Sequence, residues 1–247
     1  MKETRIAMSM PATIELVDDF ANQEHLEKAF SYFNYVNDNF SFFKEDSEVS
    51  KINRGELKEE DYSNDMKEIF QKSEETKKLS NGYFDVKNLD GKYNPSGLVK
   101  GWAIYNVAKM FDEMGLKNFY IEVAGDIEVR GYNSDGALWR IGIKNPFNPN
   151  EIIKVVQIKD CGIATSGTYM QGQHIYNPVT KQKEITDIVS FTVIGPNVYE
   201  ADRFATPAFA MGKKGIDFIA GLDGFEGYMV SNKGIATFTE GFNKYVI

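Results

Sequence analysis

The chain has 247 residues, 42% of them hydrophobic and 13% aromatic, which is enough to bury a core of its own. Its formal net charge of −8 opposes a phosphate backbone, so a nucleic-acid partner is not expected. A single cysteine, Cys161, excludes an internal disulfide and a cysteine-based zinc cluster and fits a reducing compartment.

The opening stretch MKETRIAMSMPATIEL has no apolar targeting core, and no later run reaches the length of a membrane-spanning helix. No transmembrane segment is expected, and as sequenced the chain reads as cytoplasmic, with an exported or lipid-anchored longer form as the alternative. ATIELVD alternates like a half-buried strand. NQEHLEKAFSYFNYVNDNFSFF then places Leu26, Ala29, Phe30, Phe33, Val36 and Phe40 at helical spacing, with His25 among the charges of the polar face. Between Lys58 and Lys78, Met66, Ile69 and Phe70 form the apolar stripe of a surface helix. PSGLVKGWAIYNVAKMFDEMG predicts a helix ending at Gly115. The runs NFYIEVAG, IEVRGY, ALWRIGIKN, IIKVVQIK and VSFTVIG read as strands between Gly, Pro and Asn turns. A helix from about Val198, a short helix in GIDFIAGL and a closing hairpin in EGYMVSN and IATFTEGFNKYVI complete the chain. With no repeat or linker, this order predicts an α+β unit, one domain over residues 1–247, with a central sheet and flanking helices.

Four segments join backbone-exposing glycines to polar side chains. In NPSGLVKGW a two-glycine turn precedes a helix start that holds Lys100; amides there attract anionic oxygens, and the lysine neutralises phosphate charge. In EVAGDIEVRG, Asp126 follows a glycine between two strands, so it either caps turn amides or stands where a nucleotide approaches the backbone. IATSGTYMQGQHIYNPVT clusters Thr165, Ser166, Thr168, Tyr169 and His174, the second of only two histidines. A serine-hydrolase reading of Ser166 and His174 lacks the GxSxG elbow. In EADRFATPAFAMG, Asp202 and Thr206 lie one helical turn apart. Two hard oxygen donors at that spacing suit Mg²⁺ if a main-chain carbonyl and a diphosphate complete the shell; the plainer alternative is a surface Asp beside a half-buried Thr. Pro207 lacks the N–H that would bond to the Arg203 carbonyl, which predicts a bend there.

Taken in order, MSMPATIEL, FSFFKEDSEVSKINRG, GYFDV, PSGLVKGWA, AGD, WRIGIKNP, ATSGTY, HIYNPVT and ADRFAT span nearly the whole chain. In that order and spacing the chain resembles the ApbE family, the FAD:protein FMN transferases. The resemblance implies a two-lobed, T-fold-like α+β architecture with the flavin nucleotide between the lobes. It also implies transfer of FMN from the substrate FAD to a threonine hydroxyl of a target protein, with release of AMP. Asp202, Thr206 and the carbonyl of Gly97 would bind Mg²⁺. Lys100 would help to neutralise the pyrophosphate, and Asp202 or His174 would take the threonine proton. Phe43, Ser47, Asn53, Gly97, Lys100, Asp126, Ser166, Gly167, Tyr169 and His174 would form the flavin pocket. Two alternatives share the fold: a metal-dependent FAD pyrophosphatase, with water in place of the threonine, and a non-catalytic FAD-binding protein.

Five positions depart from the family's commonest pattern. Asn94 stands for the Asp that opens the DxSG segment, Tyr105 for the Asp five residues after the motif lysine, and Asn177 for the Asp of HIxDP. Phe43 replaces a tyrosine, and Ala124-Gly125 replaces a double glycine. The lost carboxylates bear on the supporting shell and on substrate choice, while ADxxAT is intact.

Overall fold

The computed structural model describes residues 1–168 and 175–247. The chain runs β1 (Lys2–Ala7), β2 (Met10–Leu16), α1 (Gln23–Phe40), α2 (Glu48–Asn53), α3 (Asn64–Leu79), α4 (Ser96–Glu113), β3 (Phe119–Val123), β4 (Asp126–Arg130), β5 (Trp139–Asn145), β6 (Asn148–Ile158), β7 (Cys161–Gly167), β8 (Ile188–Gly195), α5 (Val198–Ala210), α6 (Gly215–Ala220), β9 (Glu226–Ser231) and β10 (Ala236–Phe238). Eight strands form one sheet in the order β1-β2-β3-β4-β7-β8-β9-β10, antiparallel throughout, and β5 and β6 form a separate two-stranded ribbon. The expected α+β class is the one observed.

Two strands lie where none was expected. β1 is an edge strand whose charged Glu3 and Arg5 interrupt apolar alternation, a common guard against edge-to-edge pairing. Arg5 also reaches α1, where it pairs with Glu27 and lies 4.4 Å from the centre of the Phe30 ring. β7, whose small hydroxyl-bearing residues read as a polar cluster, is an interior strand between β4 and β8.

Local chemistry fixes the helix starts. Asn22 Oδ1 accepts the Glu24 N–H at 3.0 Å, and His25 Nδ1 accepts the Asn22 N–H at 3.2 Å, so His25 is part of a capping box and not only a solvated residue. α3 begins at Asn64, later than Lys58, because Ser63 Oγ accepts the Met66 N–H at 3.1 Å. Glu48 of α2 holds that cap by accepting from Ser63 N and Oγ at 2.6 and 2.7 Å. α4 stops at Glu113, ahead of Gly115, whose φ of +89° takes the left-handed conformation expected past a helix end.

The core has three clusters. Leu16, Phe33, Trp102, Phe111 and Phe119 join α1 and α4 to β2 and β3. Val129, Trp139, Val156 and Phe242 seat the β5–β6 ribbon on β4 and the C-terminal segment. Phe191, Phe204, Phe209 and Ile219 pack α5 and α6 on β8. Each large side chain buried this way contributes about 1.5–3 kcal/mol.

Two hairpin turns project from this sheet. In both, Met8-Ser9 (φ 50° and 63°) and Ala124-Gly125 (φ 50° and 93°), the two central residues have positive φ. That is the type I′ pattern, whose twist matches the flanking strands. It supplies a physical reason for a double glycine before Asp126, and alanine at the first position carries a left-handed penalty of roughly 1 kcal/mol.

Candidate functional site

A cavity of about 880 Å³ opens among the described residues, within the range that holds nucleotide-sized ligands. The two hairpin turns, the end of α1, the start of α4, the ribbon, β7 and α5 all contribute to its wall. At its floor α4 and α5 cross closely. A Cβ at Gly101 would lie 2.6 Å from Asp202 Cβ and 2.9 Å from the Val198 carbonyl, and one at Gly97 would touch Thr206 Cγ2 at 3.4 Å. The two glycines, four apart on α4, are therefore the surface on which Asp202 and Thr206, four apart on α5, are laid.

This packing gathers oxygen atoms. Thr206 Oγ1 donates to the Gly97 carbonyl at 3.3 Å, and Asp202 Oδ2 accepts the Gly101 N–H at 2.8 Å. Behind them Lys100 Nζ lies 2.8 Å from Asp126 Oδ2, while Asp126 Oδ1 accepts the Thr165 N–H at 3.1 Å. Lys100 and Asp126 thus form a largely buried ion pair. Asp202 and Asp126 are both buried. Burial drives the Asp202 acid well above the usual carboxylate range, and the Asp126 charge adds to the shift. Lys100 and the Gly101 N–H pull the other way without cancelling it.

With Lys100 offsetting Asp126, burial favours the protonated Asp202, and ionising it places an uncompensated negative charge in a low-dielectric setting. A hard divalent cation fits this donor set: one carboxylate, one hydroxyl and one main-chain carbonyl, with room in the cavity for water or phosphate oxygens. Asp202, Thr206 and Gly97 are the residues able to hold it. The alternative of a surface Asp at 202 does not survive, because Asp202 is 5% exposed.

Among the flavin-pocket expectations, Phe43, Gly97, Lys100, Ser166 and Gly167 line the cavity, with Phe43 90% exposed. Three do not. Ser47 caps α2, accepting the Ser50 N–H at 3.0 Å and donating to the Ser41 carbonyl at 2.6 Å. Asn53 clasps one peptide unit, donating to Tyr93 O at 2.9 Å and accepting from Tyr93 N at 2.8 Å. With their polar atoms bonded to backbone, both are corrected here to structural residues. Asp126 stands one layer behind the wall and acts on it through Lys100; it does not cap turn amides. Tyr169 and His174 lie outside the described residues. Sequence reasoning missed the ribbon wall (Arg140, Ile141, Gly142, Ile143, Lys144) and the aromatic wall (Tyr83, Phe84, Tyr120, Tyr176). The stretches WRIGIKNP, GYFDV, NFYIEVAG and HIYNPVT were the available signals.

Two of the three lost carboxylates fall at positions that do not line the cavity. Asn177 is buried: its Oδ1 accepts from Val179 N and Thr180 N at 3.0 Å each, and its amide donates to the Ala210 carbonyl at 3.2 Å. An ionised Asp could not make that last bond. Tyr105 packs against the first core cluster beneath Lys109. Asn94 does line the cavity, and its Oδ1 accepts the Ser96 N–H at 3.2 Å as α4 begins.

Fold and site together define an α+β protein with a nucleotide-sized cleft over a floor of hard oxygen donors. The chain belongs to the ApbE family, whose model matches residues 8–90 and 87–229. It is similar to the FAD:protein FMN transferase of Vibrio cholerae serotype O1, 32% identical over 128 residues that cover 48% of this chain and 38% of that protein. It is also similar to the FAD:protein FMN transferase of Escherichia coli K12, 30% identical over 144 residues, 55% of this chain and 41% of that protein. The chain thus aligns with well under half the length of these curated relatives. Among solved structures, the flavin transferase ApbE from Vibrio cholerae superposes with a TM-score of 0.87 at 20% identity, covering 99% of this chain and 98% of that one. The ApbE protein from Thermotoga maritima gives 0.84 at 21% identity, with 99% and 98% covered. Among the described residues no helix is long and apolar enough to cross a membrane.

Proposed function

We propose that the protein, a single domain, transfers FMN from FAD to a threonine hydroxyl of a target protein and releases AMP, with Mg²⁺ bound by Asp202, Thr206 and the Gly97 carbonyl. The observation that carries this reading is the convergence of those three oxygens with Lys100 at the floor of the cavity. The names of the curated relatives, FAD:protein FMN transferases, support it. In the transfer, the threonine oxygen bonds to the flavin-side phosphorus, and the bond from that phosphorus to the bridging oxygen breaks. AMP departs with the bridging oxygen. The threonine proton passes to Asp202, a carboxylate that lines the cavity beside Thr206 and Gly97. Lys100, held by Asp126, offsets the growing charge on the pyrophosphate. Mg²⁺, when bound, supplies the remaining charge neutralisation.

The test is incubation with FAD, Mg²⁺ and a target domain carrying a candidate threonine, followed by intact-mass analysis of the domain and chromatography of the nucleotides. An FMN adduct with one AMP per adduct is expected. Free FMN and AMP without adduct would make the protein a pyrophosphatase, and unchanged FAD a binding protein; either overturns the transferase reading.

A further inference from the structure

The two strands of the ribbon have unlike outer edges. On the far side of β6, Gln157 N donates to Tyr245 O at 2.7 Å and Ile247 N to Val155 O at 3.3 Å, so the C-terminal segment covers that edge. β5 pairs with β6 alone among the described residues, leaving its other edge without a strand. Residues 140–144, five in succession, line the cavity, whereas β6 contributes only Ile152. Successive residues of a strand face opposite sides. A wall built from consecutive residues is therefore built by the strand's edge, and the open edge of β5 borders the cavity.

That edge is rigidly mounted and locally basic. Trp139, Ile141 and Ile143 are buried in the second core cluster, and Trp139 Nε1 donates to the Arg130 carbonyl at 3.0 Å. On the opposite face Arg140 and Lys144 are exposed and form no ion pair among the described residues, in a chain whose net charge is −8. Between them Gly142 keeps the strand low, since a Cβ there would meet Ile152 Cδ1 at 2.8 Å, and Ile152 itself is an exposed apolar side chain.

We propose that β5 docks an extended segment of the acceptor protein as an added strand. Acidic side chains four positions apart on that segment lie opposite Arg140 and Lys144, and the hydroxyl-bearing residue falls on the alternate face, toward the cavity. Main-chain hydrogen bonds along the edge provide affinity, and the charge spacing provides register. The inference rests on the transferase reading, because it names the acceptor as the occupant.

The experiment uses the full chain with FAD and Mg²⁺ and a set of fluorescent peptides, each with one threonine flanked by two aspartates at the stated spacing or by two lysines. Polarisation should show the aspartate peptide binding about tenfold more tightly than the lysine peptide, with Arg140→Glu/Lys144→Glu inverting the order. N-methylation of alternate amides along one edge of the peptide should abolish binding, while methylation along the other should be tolerated. Because Arg140 and Lys144 also line the cavity, FAD quenching is measured in parallel and the peptide affinities of variant and parent are compared at FAD saturation. The docking proposal is overturned if the aspartate peptide does not bind, if neither methylation matters, or if the charge-reversed variant keeps the parent's preference. A peptide that binds by these criteria yet never gains FMN mass leaves the docking edge standing and counts against transfer. FMN transfer that is indifferent to charge and methylation does the reverse.

Discussion

Gly101 donates its N–H to Asp202 Oδ2 at 2.8 Å, and the same glycine leaves no room for a methyl group, which would lie 2.6 Å from Asp202 Cβ. The absence of a side chain at 101 is thus what seats the carboxylate at 202. Gly101→Ala should destabilise the protein by about 1–3 kcal/mol through overpacking between α4 and α5. Urea unfolding measures that loss, and calorimetric titration with Mg²⁺ should show weaker binding as Asp202 is displaced. Unchanged stability would mean that the helices separate freely.

Removing the charge at the floor should act oppositely on the metal-free and metal-bound protein. The Asp202 acid is raised in the fold, so its contribution to stability is present while it keeps its proton and is lost as pH rises through the raised value. Asp202→Asn escapes that loss. Metal-free, it should melt at or above the parent at alkaline pH, while its Mg²⁺ affinity falls by about a hundredfold or more. Thr206→Val keeps the charge and loses one oxygen, so a smaller drop in Mg²⁺ affinity is expected. Parent-like calorimetric titrations for both variants would remove the metal assignment.

Glu128 supplies a second pH dependence, away from the cavity. It is buried, accepts the Val198 N–H at 2.5 Å where α5 begins, and pairs with Arg130. Burial pushes its acid from 4.5 up to about 7, against the pull of Arg130. The folded value lies above the unfolded one. Its contribution to folding is therefore complete below about 4.5 and is lost as pH rises through about 7. Glu128→Gln, with Arg130 still 3.5 Å from Asp112, should match the parent near pH 5 and gain about 2–3 kcal/mol on it by about pH 8. Denaturation midpoints at the two pH values check this; a constant difference between variant and parent would show Glu128 ionised throughout.

Ala124 holds a φ of 50° at the first central position of a type I′ turn. Asparagine tolerates that region and does not loosen the unfolded chain as glycine does. Ala124→Asn should accordingly stabilise by about 0.5–1 kcal/mol, and Ala124→Gly by less. Thermal melts rank the three; a Gly variant above the Asn variant would reverse the argument.

Legibility in the sequence followed the range of the interactions. The stripe from Leu26 to Phe40 was visible because one helix face repeats within a few residues, and its members are all buried. β1 was hidden because an edge strand carries the charges that mask alternation. Asp202 and Thr206 were legible as a pair from their spacing, but their placement against Gly97 and Gly101 joins positions about a hundred residues apart, which periodicity cannot report. Ser47 and Asn53 looked like binding residues because caps and peptide clasps use the same polar side chains that ligands do. The ribbon wall was legible as two strands, and nothing local to them reveals which edge stays open.

The cavity wall draws on every core cluster: Phe84 from the first, Ile141 from the second, and Ile175, which packs on the third. The cleft is thus a seam shared by all three blocks, and whatever fills it touches each of them. By mass action, a ligand present at a hundredfold its dissociation constant adds about 2.7 kcal/mol to the folded state. Melting temperature then becomes a binding isotherm that requires no turnover. FAD spans more of the seam than FMN and brings the diphosphate that Lys100 can meet, so a melting series at equal concentrations should rise further with FAD, and Lys100→Met should bring the two curves together.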